Sequence, residues 1–421
     1  VELDGKQQEA ISRCCDVKQR VVPVTGKAGT GKTTIMKSVY DALTEAGYNV
    51  ALAAPTGKAA KRIQEATGIS ATTFHRLLEF THPGERDEKT GKPYGFSYPR
   101  RNRENPLEID VVLGDEYAMV NHENHRNIFD ALPPGGSIRV FGDVNQLKPI
   151  ESISTLSAKP SPFSDLLERF KGIVLDTNHR QNAGSGIAEN GERIIKGFCP
   201  VRRPDFDIHI TDSPVRVLED KCMELLFDHG ISFATTDNQI ITPSNKSWVG
   251  TQKLNAALQR VYQPHEDGWH DIPRHKWIKE KMRMRVGDKV VVTQNQYDLG
   301  VFNGETGLVE EITEYGEIAI NLGDRTVVIP PVLEVTLRNG ATTTVDPRKD
   351  IDLAYALTTH KTQGSEYKRV IYVLNSSTFF VQTRSNFYTA VTRAREHASV
   401  ITDAKSFQYS VTSTKTKEFK K

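Results

Sequence analysis

Apolar and polar positions follow two periods along the chain. Val21 to Thr25 is an unbroken apolar run of buried-strand type, and Thr33 to Ala46 places its apolar residues at helical spacing. Asn49 to Ala54 returns to a strand pattern and Gly57 to Ala66 to a helical one. Such alternation predicts βαβ units and a parallel sheet. Two further strands are expected at Ile109 to Leu113 and Ser137 to Phe141, each followed by Gly-Asp, as where a strand's carboxyl end delivers residues to a ligand crevice. Residues 80–107 break the pattern with several Pro and Gly and no helical period, and so read as an insertion. Within it, Tyr94, Phe96 and Tyr98 alternate with small or polar residues beyond a turn at Lys89 to Lys92, which predicts a β-hairpin with an aromatic face; a solvated loop with incidental aromatics is the competing reading. A second α/β pattern runs from about Asn178 to Gln263 and resumes at Asp352 to Leu357 and Val370 to Leu374. Between them, residues 264–345 turn into short β-rich pieces separated by Gly, Asn and Asp, predicting a small barrel of SH3 or OB type. The basic end, Lys415 to Lys421, reads as a frayed tail.

At 421 residues, the chain has room for roughly three domains of ~150 residues. With 37% hydrophobic and 26% charged residues it lies in the globular range, which excludes disordered and fibrous classes. No apolar run approaches the ~20 residues of a membrane span and the start lacks the pattern of a signal peptide, so a cytoplasmic protein is expected. A start at Val1 fits a processed or trimmed chain. Four cysteines without a C-x-x-C pair read as reduced structural thiols, not metal ligands. A net charge of +2, from 55 basic and 53 acidic residues, does not announce nucleic acid, so any basic groove must be local.

The segment Gly26-Lys27-Ala28-Gly29-Thr30-Gly31-Lys32-Thr33 is a full G-x-x-x-x-G-K-T between an expected strand and an expected helix. Its glycines let backbone N–H groups close around phosphate oxygens, and the helix N-terminus adds a favourable dipole. Lys32 is expected to reach the β and γ phosphates of ATP, Thr33 to ligate Mg²⁺, and Thr34 to line the same site. A nucleotide hydrolase also needs a second metal anchor and a group to orient water. Asp115 and Glu116, directly after the apolar run, supply one carboxylate for Mg²⁺ and one as base.

Asp115-Glu116-Tyr117-Ala118-Met119 and Gly142-Asp143-Val144-Asn145-Gln146-Leu147-Lys148-Pro149 resemble motifs II and III of superfamily 1 helicases, most closely the RecD-like and Dda-like subgroup. The resemblance continues in order along almost the whole chain. Leu3 to Gln7 looks like the adenine-reading Q motif, Ala54 to Ala60 like motif Ia, and Thr72 to Leu78 like motif Ib. Leu175 to Gln181 is similar to motif IV, Ala356 to Glu366 to motif V, and Tyr388 to Arg395 to motif VI. Departures stand at Ala118, where Ser is usual, and Gly114, where an apolar residue is usual.

The resemblance implies two RecA-like P-loop domains, residues 1–79 with 108–174 and 175–263 with 346–421, carrying a hairpin pin at 80–107 and an SH3-like insertion at 264–345. It implies an ATP-dependent DNA helicase that translocates 5′ to 3′ as a monomer, on single-stranded DNA and forked or tailed duplex. RNA is not excluded, and protein partners are unspecified. A bacterial cell or phage-infected host is the expected setting. Arg180 and Arg393 correspond to arginine fingers, Gln146 to a γ-phosphate sensor, and Gln7, Gly364 and Glu366 to further nucleotide contacts. Strand grips are expected at Pro55, Thr56, Thr73 and His75, at Ser244 and Asn245, and at Thr359, His360 and Lys361, with Phe74 either stacking on a base or joining the core. The basic stretch Lys276 to Arg285 is either a strand contact or, preferably, a solvated face. The alternative function is a DNA-stimulated ATPase that remodels or releases nucleic acid without processive unwinding.

Overall fold

The computed structural model describes residues 3–81, 98–149, 160–177, 185–263, 270–272, 282–296, 299–336 and 342–414. Tyr94, Phe96 and Arg180, with most of the Lys276 to Arg285 stretch, lie outside them. The chain divides into two compact units, with the break after Ala183.

The first unit opens on α1 (Gly5–Cys15), started by a reciprocal capping box between Asp4 and Gln7. Then come β1 (Val21–Gly26), α2 (Lys32–Glu45), β2 (Val50–Ala54), α3 (Gly57–Thr67), β3 (Ala71–Thr73), α4 (Phe74–Leu77), β4 (Val111–Gly114), α5 (His122–Ala131), β5 (Ser137–Gly142), α6 (Pro162–Arg169) and β6 (Ile173–Leu175). Its six strands form one parallel sheet in the order β3-β2-β4-β5-β1-β6. The boundary expected at 174/175 falls inside β6, whose pairing with β1 carries the sheet through Leu175. Helix α2 buries Ile35, Met36, Val39 and Leu43, each contributing about 1.5–3 kcal/mol of burial.

The second unit holds α7 (Gly186–Ile195), β7 (Phe206–Ile210), α8 (Pro214–His229), β8 (Asn238–Thr242) and α9 (Thr251–Tyr262). Two short hairpin strands, β9 (His270–Ile272) and β10 (Met282–Met284), lead into β11 (Lys289–Val292), β12 (Thr306–Ile312), β13 (Ile318–Asn321) and β14 (Thr326–Ile329). A two-stranded sheet of β15 (Leu333–Thr336) and β16 (Thr342–Val345) precedes β17 (Ile351–Leu353). The chain then returns through β18 (Ala356–Thr358), β19 (Tyr367–Val373), α10 (Arg384–Val391), β20 (Ala394–Thr402) and α11 (Ala404–Thr412). A parallel sheet ordered β18-β8-β19-β20-β7 forms its centre. The β-rich insertion forms a five-stranded antiparallel sheet, β14-β13-β12-β11-β17, whose last strand lies past residue 345. Inward residues of that insertion, Val290, Val292, Val309, Ile318 and Ile320, share one apolar cluster with Leu254 and Leu258 of α9.

Candidate nucleotide and nucleic-acid site

In the first sheet β4, β5 and β1 are neighbours and parallel, so the segments after them leave one edge together. The loop after β1 runs into α2, with Gly29 and Gly31 at φ of 84° and 81°, a backbone that L side chains rarely adopt. Added Cβ atoms would collide with the Thr30 hydroxyl at Gly26 and with the Gln7 amide at Gly31. Gln7, buried in α1, donates from Nε2 to the Thr30 carbonyl at 3.2 Å, and Thr30 Oγ1 donates to the Lys27 carbonyl at 2.9 Å. Lys32 Nζ donates to the carbonyls of Gly26 and Lys27 at 2.7 and 2.9 Å, folded over the loop it follows. Ala28 and Thr33 are half-buried and Thr34 is exposed.

After β4, Asp115 and Glu116 are buried, at 1% and 3% exposure. Glu116 takes φ of 49°, a left-handed backbone unfavourable for a residue with a Cβ. Arg62, from α3, stands 3.5 Å from Asp115 Oδ2 and 3.2 Å from Glu116 Oε1. Burial pushes the Asp115 carboxyl above the usual range and Glu116 adds to this, while Arg62 and Lys32 oppose it. Asp115 Oδ1, Glu116 Oε2 and, after β5, Gln146 Oε1 are buried acceptors without a hydrogen-bond partner among the described residues. Buried acceptors of that kind ordinarily find a donor or a cation. The donor set fits a divalent cation held by oxygen ligands. The backbone N–H of Val144 bonds Thr25 Oγ1 at 3.2 Å, tying the segment after β5 to β1.

Pro55 and Thr56 follow β2, Thr73 ends β3 and His75 follows it; β2 and β3 pair in register through Ala54 and Thr73. Thr56 caps α3 by accepting from the Ala59 N–H, and Thr73 caps α4 by accepting from the Arg76 N–H, both at 3.2 Å. Both hydroxyls already hold a helix end. The exposed His75 ring packs 4.6 Å from the Phe80 ring. At 2% exposure the Phe74 ring lies in the core, edge-on to Tyr117 at 5.9 Å and closed against Gly114. Tyr98, the one aromatic of the expected hairpin among the described residues, is 40% exposed.

In the second unit β8, β18 and β19 are parallel neighbours, so the segments after them also share an edge. Ser244 is buried, and Asn245 accepts from the Thr251 hydroxyl at 2.9 Å. Thr359 cannot reach a strand in this conformation: it is fully buried and its hydroxyl donates to Asn386 Oδ1 at 2.7 Å. His360 and Lys361, on the following short turn, are half-buried, and burial lowers both their pKa values. Gly364 takes φ of 74° and Glu366 is half-buried. Arg393 is 2% exposed and donates to the carbonyls of Thr389 at 3.1 Å and Ser365 at 3.3 Å.

Sequence reasoning missed Arg62 and Arg139. The latter, fully buried on β5, donates to the carbonyls of Cys14 at 2.6 Å, Gln19 at 2.9 Å and Asp16 at 3.2 Å, fixing the end of the helix that carries Gln7. No local pattern marks either arginine, because their partners lie far along the chain.

Three family models match: an AAA domain over residues 2–200, an ATP-dependent RecD-like DNA helicase SH3 domain over 254–322, and a UvrD-like helicase C-terminal domain over 353–401. The ATP-dependent RecD2 DNA helicase of Deinococcus radiodurans is 32% identical over 377 residues, 90% of this chain and 46% of its own length. The RecBCD enzyme subunit RecD of Mycolicibacterium smegmatis is 28% identical, covering 94% of this chain and 71% of its own. The chain thus spans about half the length of the first of these relatives. Among solved structures, Bacteroides Pif1 bound to ssDNA matches at a TM-score of 0.59 and 20% identity, over 96% of this chain and 92% of that one. Pif1 helicase from Candida albicans matches at 0.57 and 19%, over 99% and 97%. At that identity these two share the fold. The RecD-like SH3 match lies between the AAA and helicase C-terminal matches, and the RecD2 relative aligns across nearly the whole chain; along nearly all of its length the chain is therefore similar to RecD-like DNA helicases.

Proposed function

We propose that the chain is an ATP-dependent DNA helicase that moves 5′ to 3′ along single-stranded DNA and parts the duplex at the insertion spanning residues 80–107. The observation that carries this is the pair of buried carboxylates with unpartnered oxygens beside a G-x-x-x-x-G-K-T lysine. Lys32 exchanges the Gly26 and Lys27 carbonyls for phosphate oxygens, and the N–H groups of the Gly29 to Thr33 turn cradle the rest. Thr33 and Asp115 would hold Mg²⁺, which supplies charge neutralisation at the phosphates. Glu116 accepts a proton from the attacking water, while Arg62 stays within reach of both carboxylates. Gln146 meets the γ-phosphate through its amide N–H, leaving its buried Oε1, without a partner among the described residues, to accept from the attacking water.

Arg393, and Arg180 in the same role, bring positive charge to the transition state. For Arg393 this requires release of the Thr389 and Ser365 carbonyls, which makes hydrolysis wait on rearrangement of motif VI. Each unit offers strand contacts of its own: in the first, His75 after β3, and in the second, His360 and Lys361 after β18, present donors to phosphates. Burial lowers the pKa of His360, which favours a ring that meets a phosphate by hydrogen bonding. The test is ATP hydrolysis by the wild type and by Lys32→Ala, with and without oligothymidylate. Strong stimulation in the wild type, lost in Lys32→Ala, is expected; equal rates without regard to DNA would remove the motor reading.

A further inference from the structure

We propose that Trp248 is a platform on which a base of single-stranded DNA stacks, with Lys253 carrying the neighbouring phosphate; this rests on the nucleic-acid reading of the second unit's sheet edge. Trp248 is 70% exposed, whereas its neighbours Ser247 and Val249 are buried. An indole presented to water between two buried neighbours forfeits burial that a Trp ordinarily obtains.

The loop is held in place, so the exposure is built in. Thr242 Oγ1 donates to the Val249 carbonyl at 2.6 Å, the Thr251 N–H to the Ser244 carbonyl at 3.0 Å, and the Trp248 N–H to Ser377 Oγ at 3.2 Å. At Gly250 a Cβ would press into the Asn245 carbonyl, so the turn closes only with glycine. The residues involved follow β8 and β19, at the same edge as the His360 and Lys361 turn after β18.

Lys253, in the first turn of α9, places Nζ 3.3 Å from the indole centroid. One ring face therefore carries a cation and the other faces solvent. A cation over one face and a free π-face opposite suit a nucleotide, whose base stacks and whose phosphate is drawn to the ammonium. Stacking of this kind tolerates any base, as a motor that travels along a strand requires.

The experiment is fluorescence anisotropy of a labelled oligothymidylate, and of the same oligomer with abasic sites, on full-length wild type, W248A and W248F. Wild-type binding of oligothymidylate tests the nucleic-acid reading beneath the proposal, and its absence at low salt overturns both. Given that binding, W248A should be about 5- to 150-fold weaker, the equivalent of ~1–3 kcal/mol per stacked base. W248F should bind within a few-fold of wild type, and the abasic oligomer should bind W248A and wild type alike. Equal affinity of W248A and wild type for oligothymidylate overturns the platform, as does an equal deficit on the abasic oligomer. Tryptophan quenching by oligothymidylate, compared between wild type and W248F, serves even where W248A misfolds. A smaller quench in W248F supports the proposal, and an unchanged quench contradicts it.

Discussion

Gly114 is the residue through which the carboxylate pair and the segment carrying Thr73 and His75 are pressed together, and a methyl group there measures that contact. A Cβ on Gly114 would stand 2.9 Å from Phe74 Cζ and 3.4 Å from Tyr117 Cδ2. The first distance is closer than real Cβ contacts come, and Phe74 is buried among Leu78, Val112 and Tyr117, so its ring has little room to retreat. Overpacking of this kind costs about 1–3 kcal/mol, and Gly114→Ala should lose that much. Phe74→Leu leaves a partial cavity and should cost about 1–2 kcal/mol by lost burial. In the double variant the shorter side chain vacates the space the new methyl needs. The loss in the double variant should therefore fall short of the sum of the two single losses by about 1 kcal/mol or more. Urea unfolding of the four proteins, followed through the transition that Gly114→Ala moves, gives the cycle directly. Additivity within about 0.3–0.5 kcal/mol would refute the close contact and, with it, the explanation of why glycine precedes the acidic pair.

Two further outcomes follow from buried polar groups. Arg139→Met strands the carbonyls of Cys14, Asp16 and Gln19 and should cost about 3–5 kcal/mol in unfolding free energy, with Arg139→Lys recovering part of it; a neutral Met variant in urea denaturation would contradict the assignment. Burial holds His125, bonded to the Tyr117 hydroxyl at 3.1 Å, down at about 4 from 6.5. The unfolded chain takes up that proton near pH 6.5 and the folded chain only near pH 4, so stability is lost as pH falls through this window, by at most about 1.4 kcal/mol per pH unit. His125→Gln should flatten the fall of Tm between pH 7 and 4.5, and an unchanged slope would count against it.

The nucleotide loop was legible because its chemistry is local: glycines at fixed offsets, a lysine and a hydroxyl residue at a strand-to-helix junction need no distant partner. The carboxylate pair was legible for the same reason, lying at the end of an apolar run. Side-chain direction was not. Phe74 and Thr359 sit in segments that resemble strand-contacting motifs, yet one ring fills the space left by Gly114 and one hydroxyl is claimed by Asn386, and neither partner is adjacent in sequence. Arg62 and Arg139 escaped notice because a lone arginine on a helix or strand carries no period of its own. Likewise the β-rich insertion was readable from alternation, but not the recruitment of β17 into its sheet, which depends on pairing across residues 293–350.

The central claim is that ATP turnover at Lys32 drives movement along one strand in one direction. Unwinding of forked duplexes bearing only a 5′ or only a 3′ single-stranded tail, at matched protein and Mg²⁺-ATP concentrations, tests it most directly. The account predicts strand separation from the 5′-tailed substrate, none from the 3′-tailed one, and none by Lys32→Ala. ATP-dependent release of DNA without separation of either substrate would contradict it.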